Sequence, residues 1–132
     1  MAGKSVTAVQ AELQSSSVAF QQMESDMASI IEARQRLDSQ LSENELVLKE
    51  FSQLKPHNTI FKLVGPSLVP QDQAEAQQNV EKRLDFIKSE IKRVESQLKD
   101  SEEKTMKKKN EIIQLQQEFQ ALQASSSAAV PA

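Results

Sequence analysis

A single histidine, His57, stands in a chain of 132 residues that has no cysteine. An imidazole can serve as a general base or a metal ligand, but here no second imidazole and no thiol can share either task. His57 follows Pro56 directly, and the plain reading is a solvated residue beside a helix stop. Close carboxylates are the next candidates: Glu43 with Glu45, and Glu102 with Glu103. Paired carboxylates do general acid–base work in a concave, partly dry site that sets their pKa values. A long helical arm offers no such site, so these pairs read as a solvated face. Lys104, Lys107, Lys108 and Lys109 make a basic run of the kind that attracts phosphates. Asp100, Glu102 and Glu103 precede it and no aromatic residue interleaves, which favours a solvated helix surface. The expectation is a protein that is not an enzyme, with no catalytic, metal-binding or cofactor-binding residue and no cofactor.

The elements that carry these residues follow from composition and period. Aromatic residues are 4% of the chain and all are Phe, with only 2 Gly and 4 Pro. Gln, Glu, Lys, Ser, Ala and Leu dominate, which is the balance of a coiled coil. A net charge of -3 disfavours a nucleic-acid partner. No apolar run nears the roughly 18 residues that would span a bilayer. "MAGKSVTAVQ" has no apolar signal core, and Gly3 is one place too late for myristoylation. A cytoplasmic protein with no membrane contact is expected.

Counting in sevens from Val6 gives Val6, Leu13, Phe20, Met27, Arg34, Leu41 and Leu48. Three residues on runs Val9, Ser16, Met23, Ile30, Leu37, Asn44 and Phe51. These are the a and d positions of a coiled-coil seam, so helix one is expected over about 6–54, where "KPHN" stops it. In the second half, Leu84, Ile91, Leu98, Thr105, Ile112 and Phe119 form one series. Val80, Ile87, Val94, Ser101, Lys108, Leu115 and Leu122 form the other. Asp72 is the expected N-cap, with Glu75 in capping-box position. Helix two is therefore expected over about 72–123, with a disordered tail over 124–132.

The arrays mirror each other about Val64 and Gly65. If residue i faces residue 128 minus i, Arg34 faces Val94, Asn44 faces Leu84 and Ser16 faces Ile112. A shift of one heptad would keep the same match of a to d. Polar Arg34 and Asn44 in the seam read as register devices, and Met23 and Met27 as seam packing. Ser101, Thr105 and Lys108 make a polar stretch in the seam. Beyond it, Val6, Val9 and Leu13 meet Ile112, Ile113, Leu115, Phe119 and Leu122 at the chain-terminal end, a candidate binding surface.

Between the arrays lies "NTIFKLVGPSLV", read as a β-hairpin over about 59–70 turned by Gly65 and Pro66. Phe61 and Leu63 are expected on one face, and Ile60 and Val64 on the other with Lys62, so that both faces are largely apolar. An isolated hairpin is marginal in water and has two unpaired edges. Ile60, Phe61, Leu63, Val64, Gly65, Pro66, Leu68 and Val69 are therefore the candidate assembly residues, joining hairpins of several chains into a shared barrel. The fold expected is mainly α: two long helices in an antiparallel coiled coil, linked by a hairpin that assembles into a β-barrel hub, one domain in all.

"SENELVLKEF", "FKLVGPSLV", "KRLDFIKSEIKRVESQLKD" and "LQQEFQ" resemble, in order and spacing, the β class of prefoldin, most closely its sixth-subunit type. The resemblance implies a heterohexamer of two α-class and four β-class subunits that works without ATP. It implies that the arm tips hold unfolded polypeptides such as actin and tubulin and pass them to the cytosolic chaperonin. The rival readings are a structural coiled-coil adaptor or tether, which would bind one folded partner, and a homo-oligomeric scaffold.

Overall fold

The computed structural model describes residues 4–129. Helix α1 spans Val6–Gln53, strands β1 and β2 span Ile60–Val64 and Ser67–Gln71, and helix α2 spans Gln73–Ala129. The chain is therefore two long helices joined by a two-stranded antiparallel hairpin. It gathers into two compact units. The hairpin unit runs from Glu32 to Ser96; the terminal unit takes the described residues up to Ile31 and from Gln97 on.

Helix ends follow their local chemistry. Ser5 caps α1: its Oγ accepts from the Ala8 N–H at 3.1 Å and its carbonyl from the Val9 N–H at 3.0 Å. Lys55 precedes Pro56, which disfavours helix at that point, and a turn forms in which Asn58 N–H donates to the Lys55 carbonyl at 3.0 Å. Asp72 caps α2 as expected, its Oδ2 accepting from the Glu75 N–H at 3.1 Å. Gln73 ties the two helix ends together, its Nε2 donating to the carbonyls of Lys55 at 2.9 Å and Asn58 at 2.7 Å. At the other end α2 continues to Ala129, against the disordered tail expected from residue 124. Alanine is the strongest helix former, and no Gly or Pro interrupts "ASSSAA". The remainder of that expected tail, 130–132, lies outside the described residues.

In each unit the seam is made by the heptad positions. Every a and d residue named above is buried or half-buried. In the hairpin unit, Leu84, Ile87, Ile91 and Val94 are buried. Arg34 donates to Glu95 Oε1 at 2.7 Å and also binds Asp38. Glu95 is the neighbour of Val94, the residue that the mirror relation sets opposite Arg34. A shift of one heptad would have brought Arg34 to Ile87 or Ser101 instead.

Candidate interaction surfaces

The hairpin is the more exposed of the two candidate surfaces. Its register pairs Val64 with Ser67, so Gly65 and Pro66 are the whole turn. Gly65 has φ of 60° and no other described residue has a positive φ, which makes the turn type II′, the kind that follows strand twist. Residues directly opposite share a face. Phe61 with Pro70 and Leu63 with Leu68 make one face wholly apolar. The other carries Ile60 with Gln71, Lys62 with Val69 and Val64 with Ser67, so half of it is polar. The expectation of two largely apolar faces is corrected by the partner strand, whose polar residues fall on the Lys62 side.

Residues 61–70 are all exposed, Leu63 to 69%, while Ile60 is half-buried. Pro70 sits in a pair without mutual hydrogen bonds, because the turn-closing pair is bonded and pairs alternate from there. Its missing N–H therefore falls on the outer edge of β2, which has one donor fewer than an ordinary edge.

The second surface belongs to the terminal unit. Of the residues expected to form it, Val9 is 0% exposed and Leu115 is also buried. Val6, Leu13, Ile112, Phe119 and Leu122 are half-buried. Ile113 alone is exposed. A seam between two helices shields the a and d side chains that it is made of, so most of this set is packing in the closed coil.

Further along the same unit the seam is loose. Ser101, Thr105 and Lys108 bring short or charged side chains to positions where the other helix offers Phe20, Met23 and Met27. A groove of about 360 Å³ opens there, lined by Phe20, Met27, Glu102, Thr105, Met106 and Lys109. Met106 is 57% exposed, and Thr105 Oγ1 is buried without a hydrogen-bond partner. Lys108, half-buried in the seam, extends its ammonium to Glu111 Oε2 at 2.8 Å. Met106 and Ile113 are seven residues apart and share one stripe of α2. Sequence reading missed Met106 because it lies inside a run of charges. The signal available was its spacing from Ile113.

The residues first weighed for chemistry have no such setting. His57 and the carboxylates of Glu43, Glu45, Glu102 and Glu103 are exposed. Among the described residues no group of His, Asp and Glu could hold a metal ion. No helix of the described residues is long and apolar enough to cross a membrane. The shifted ionisations belong to surface pairs. A hydrogen bond from Arg93 lowers the Glu90 carboxyl below its ordinary value, and a hydrogen bond to Asp38 raises Arg34.

Comparison with known proteins supplies the rest. The profile of the family described as "Prefoldin subunit" matches residues 9–119. "Prefoldin subunit 6" of Bos taurus is 44% identical over 121 residues, covering 92% of this chain and 94% of that one. "Prefoldin subunit 6" of Arabidopsis thaliana is 39% identical, covering 98% and 100%. Among solved structures, the prefoldin beta subunit from Thermococcus strain KS-1 shares the fold with a TM-score of 0.70 at 18% identity, covering 76% of this chain and 89% of that one.

Proposed function

This chain belongs to the prefoldin subunit family, and from that premise we propose that it is a β-class subunit of a heterohexamer of two α-class and four β-class chains that captures unfolded polypeptides in the cytoplasm. It is a chaperone subunit, and its work is binding without chemistry. One observation carries the reading: the apolar hairpin face of Phe61, Leu63, Leu68 and Pro70 stands exposed on a two-stranded sheet with both edges open. Such a sheet gains by pairing with strands of other subunits, which covers the face and satisfies the edges.

Capture falls to the terminal unit. Met106, Ile113 and the groove beside Phe20 and Met27 offer apolar contact through flexible methionines, which adapt to varied partners. Val6, Val9, Leu13, Ile112, Leu115, Phe119 and Leu122 join when the helix ends part around a client. Each chain holds weakly, and several chains held in one complex hold firmly, because every contact after the first is effectively intramolecular. Actin and tubulin chains are the clients, and the cytosolic chaperonin receives them.

The test has two arms, each run on the chain co-expressed with other prefoldin subunits. Replacing Phe61 and Leu63 by Ser releases the chain from the complex; co-purification of the variant overturns the hairpin as the assembly element. Removing residues 1–14 together with 113–132 leaves assembly intact and ends suppression of client aggregation, read by light scattering with denatured actin. A complex that loses assembly on this truncation refutes the division of labour. One that still suppresses aggregation refutes the site of capture.

A further inference from the structure

The two strands amount to ten residues. A stable protein–protein interface buries on the order of 800 Å² on each side through roughly 20–30 residues. The hairpin falls short of that, so an assembly that it joins draws on more of this chain. Outside the strands, the large apolar side chains exposed on the hairpin unit are Leu46, Val47, Leu54 and Phe86.

Heptad position sorts the three that lie on the helices, Leu46, Val47 and Phe86. Arg34 at an a position reaches Asp38 and Glu95, and both of those are e positions. The e residues of the two helices therefore border one flank of the seam, which leaves their g residues, with the adjoining c residues, on the opposite flank. Val47 is a g residue of α1 and Phe86 is a c residue of α2, so both lie on that opposite flank, while Leu54 falls just beyond the end of α1. Leu46, at f, faces away from the seam. The flank lies close to the root of the hairpin, because α1 ends at Gln53, six residues beyond Val47, and the turn that leads into β1 follows. At its other end Phe86, 64% exposed, has Arg83 and Glu90 one turn to either side. Glu90 is held by Arg93 at 2.7 Å. An exposed aromatic side chain with charged neighbours is the make-up of an interface anchor.

We propose that the flank of Val47 and Phe86 is a second docking surface, filled by a helix of a neighbouring prefoldin subunit when the hairpins join. The proposal rests on the hairpin reading above and is separable from it. Hydroxyl-radical footprinting of the unaltered chain, free and in its complex, measures oxidation at each side chain. Phe86 and Val47 are expected to fall about tenfold in reactivity on assembly while Leu46 stays unchanged. Phe86→Ser is expected to weaken retention in the complex about tenfold, and Phe86→Tyr to restore it. Equal oxidation of Phe86 in both states overturns the proposal, and the hairpin reading then stands if Phe61→Ser with Leu63→Ser still releases the chain. Failure of that double variant to release overturns both. Protection of Phe86 in the isolated chain at high concentration assigns the flank to a second copy and overturns the proposal. So does a Phe86→Ser complex that is intact but no longer suppresses client aggregation, which makes the flank a client surface.

Discussion

The hairpin unit and the terminal unit share one heptad repeat but fill it differently. In the hairpin unit, Leu84, Ile87, Ile91 and Val94 form an unbroken buried ridge. In the terminal unit, Ser101, Thr105 and Lys108 interrupt the same ridge, and a groove opens beside Phe20 and Met27. Close packing specifies one arrangement, whereas methionines facing small or polar residues permit several. The capture proposed above would need one region that holds its shape and one that adapts, and the two packings divide along that line.

Breaking the comparison begins with the seams. Ile87 is 4% exposed, so Ile87→Ala is expected to cost about 3 kcal/mol in urea unfolding, as large core truncations do. Met27→Ala, at a half-buried position, is expected to cost about 1 kcal/mol. Equal costs would erase the distinction between the units.

Thr105→Val sharpens the comparison from the other side. Replacing a buried, unpartnered hydroxyl by a methyl of the same shape is expected to stabilise the chain by about 1–2 kcal/mol, seen as a raised thermal midpoint. It is also expected to weaken client retention, because a seam freed of its unpaired hydroxyl is more settled and adapts less. Gly65→Ala probes the turn. Its φ of 60° strains any side chain, although the space around it is open, and a loss of about 1 kcal/mol is expected in unfolding of the assembled complex.

The smallest effect is electrostatic. The Glu90 carboxyl has its pKa lowered by Arg93, so its contribution is present above the unfolded-chain value of about 4.3 and is lost as pH falls through the folded value. Glu90→Gln is expected to leave a shallower loss of stability between neutral pH and acid, measured by thermal melts across that range. The effect is small because the pair lies at the surface, with its Arg93 end exposed to solvent.

Sequence period alone placed both seams, because a heptad is a local pattern and each a or d residue faces the partner helix wherever that helix lies. Gly65 and Pro66 marked the turn for the same reason: φ preference belongs to the residue itself. The cap at Asp72 was readable from Glu75 three places on. The end of α2 was not, since "ASSSAA" carries neither a heptad nor a breaker.

What the sequence could not decide was which faces outside the seams stay uncovered. The heptad did set Val9 and Ile113 apart: the d residue Val9 is fully buried, and Ile113, off the series, is open to solvent. Phe86 and Ile87 are adjacent, and the heptad puts only the second in the core, but it does not say whether another segment covers the first. Burial depends on what stands opposite, and that is settled by the register between distant segments. The same holds for the hairpin, where Lys62, Ser67 and Gln71 came to share a face only once Val64 was paired with Ser67. The elements and their seams are local properties of the chain. The surfaces that they leave uncovered, on which the proposed binding rests, are tertiary.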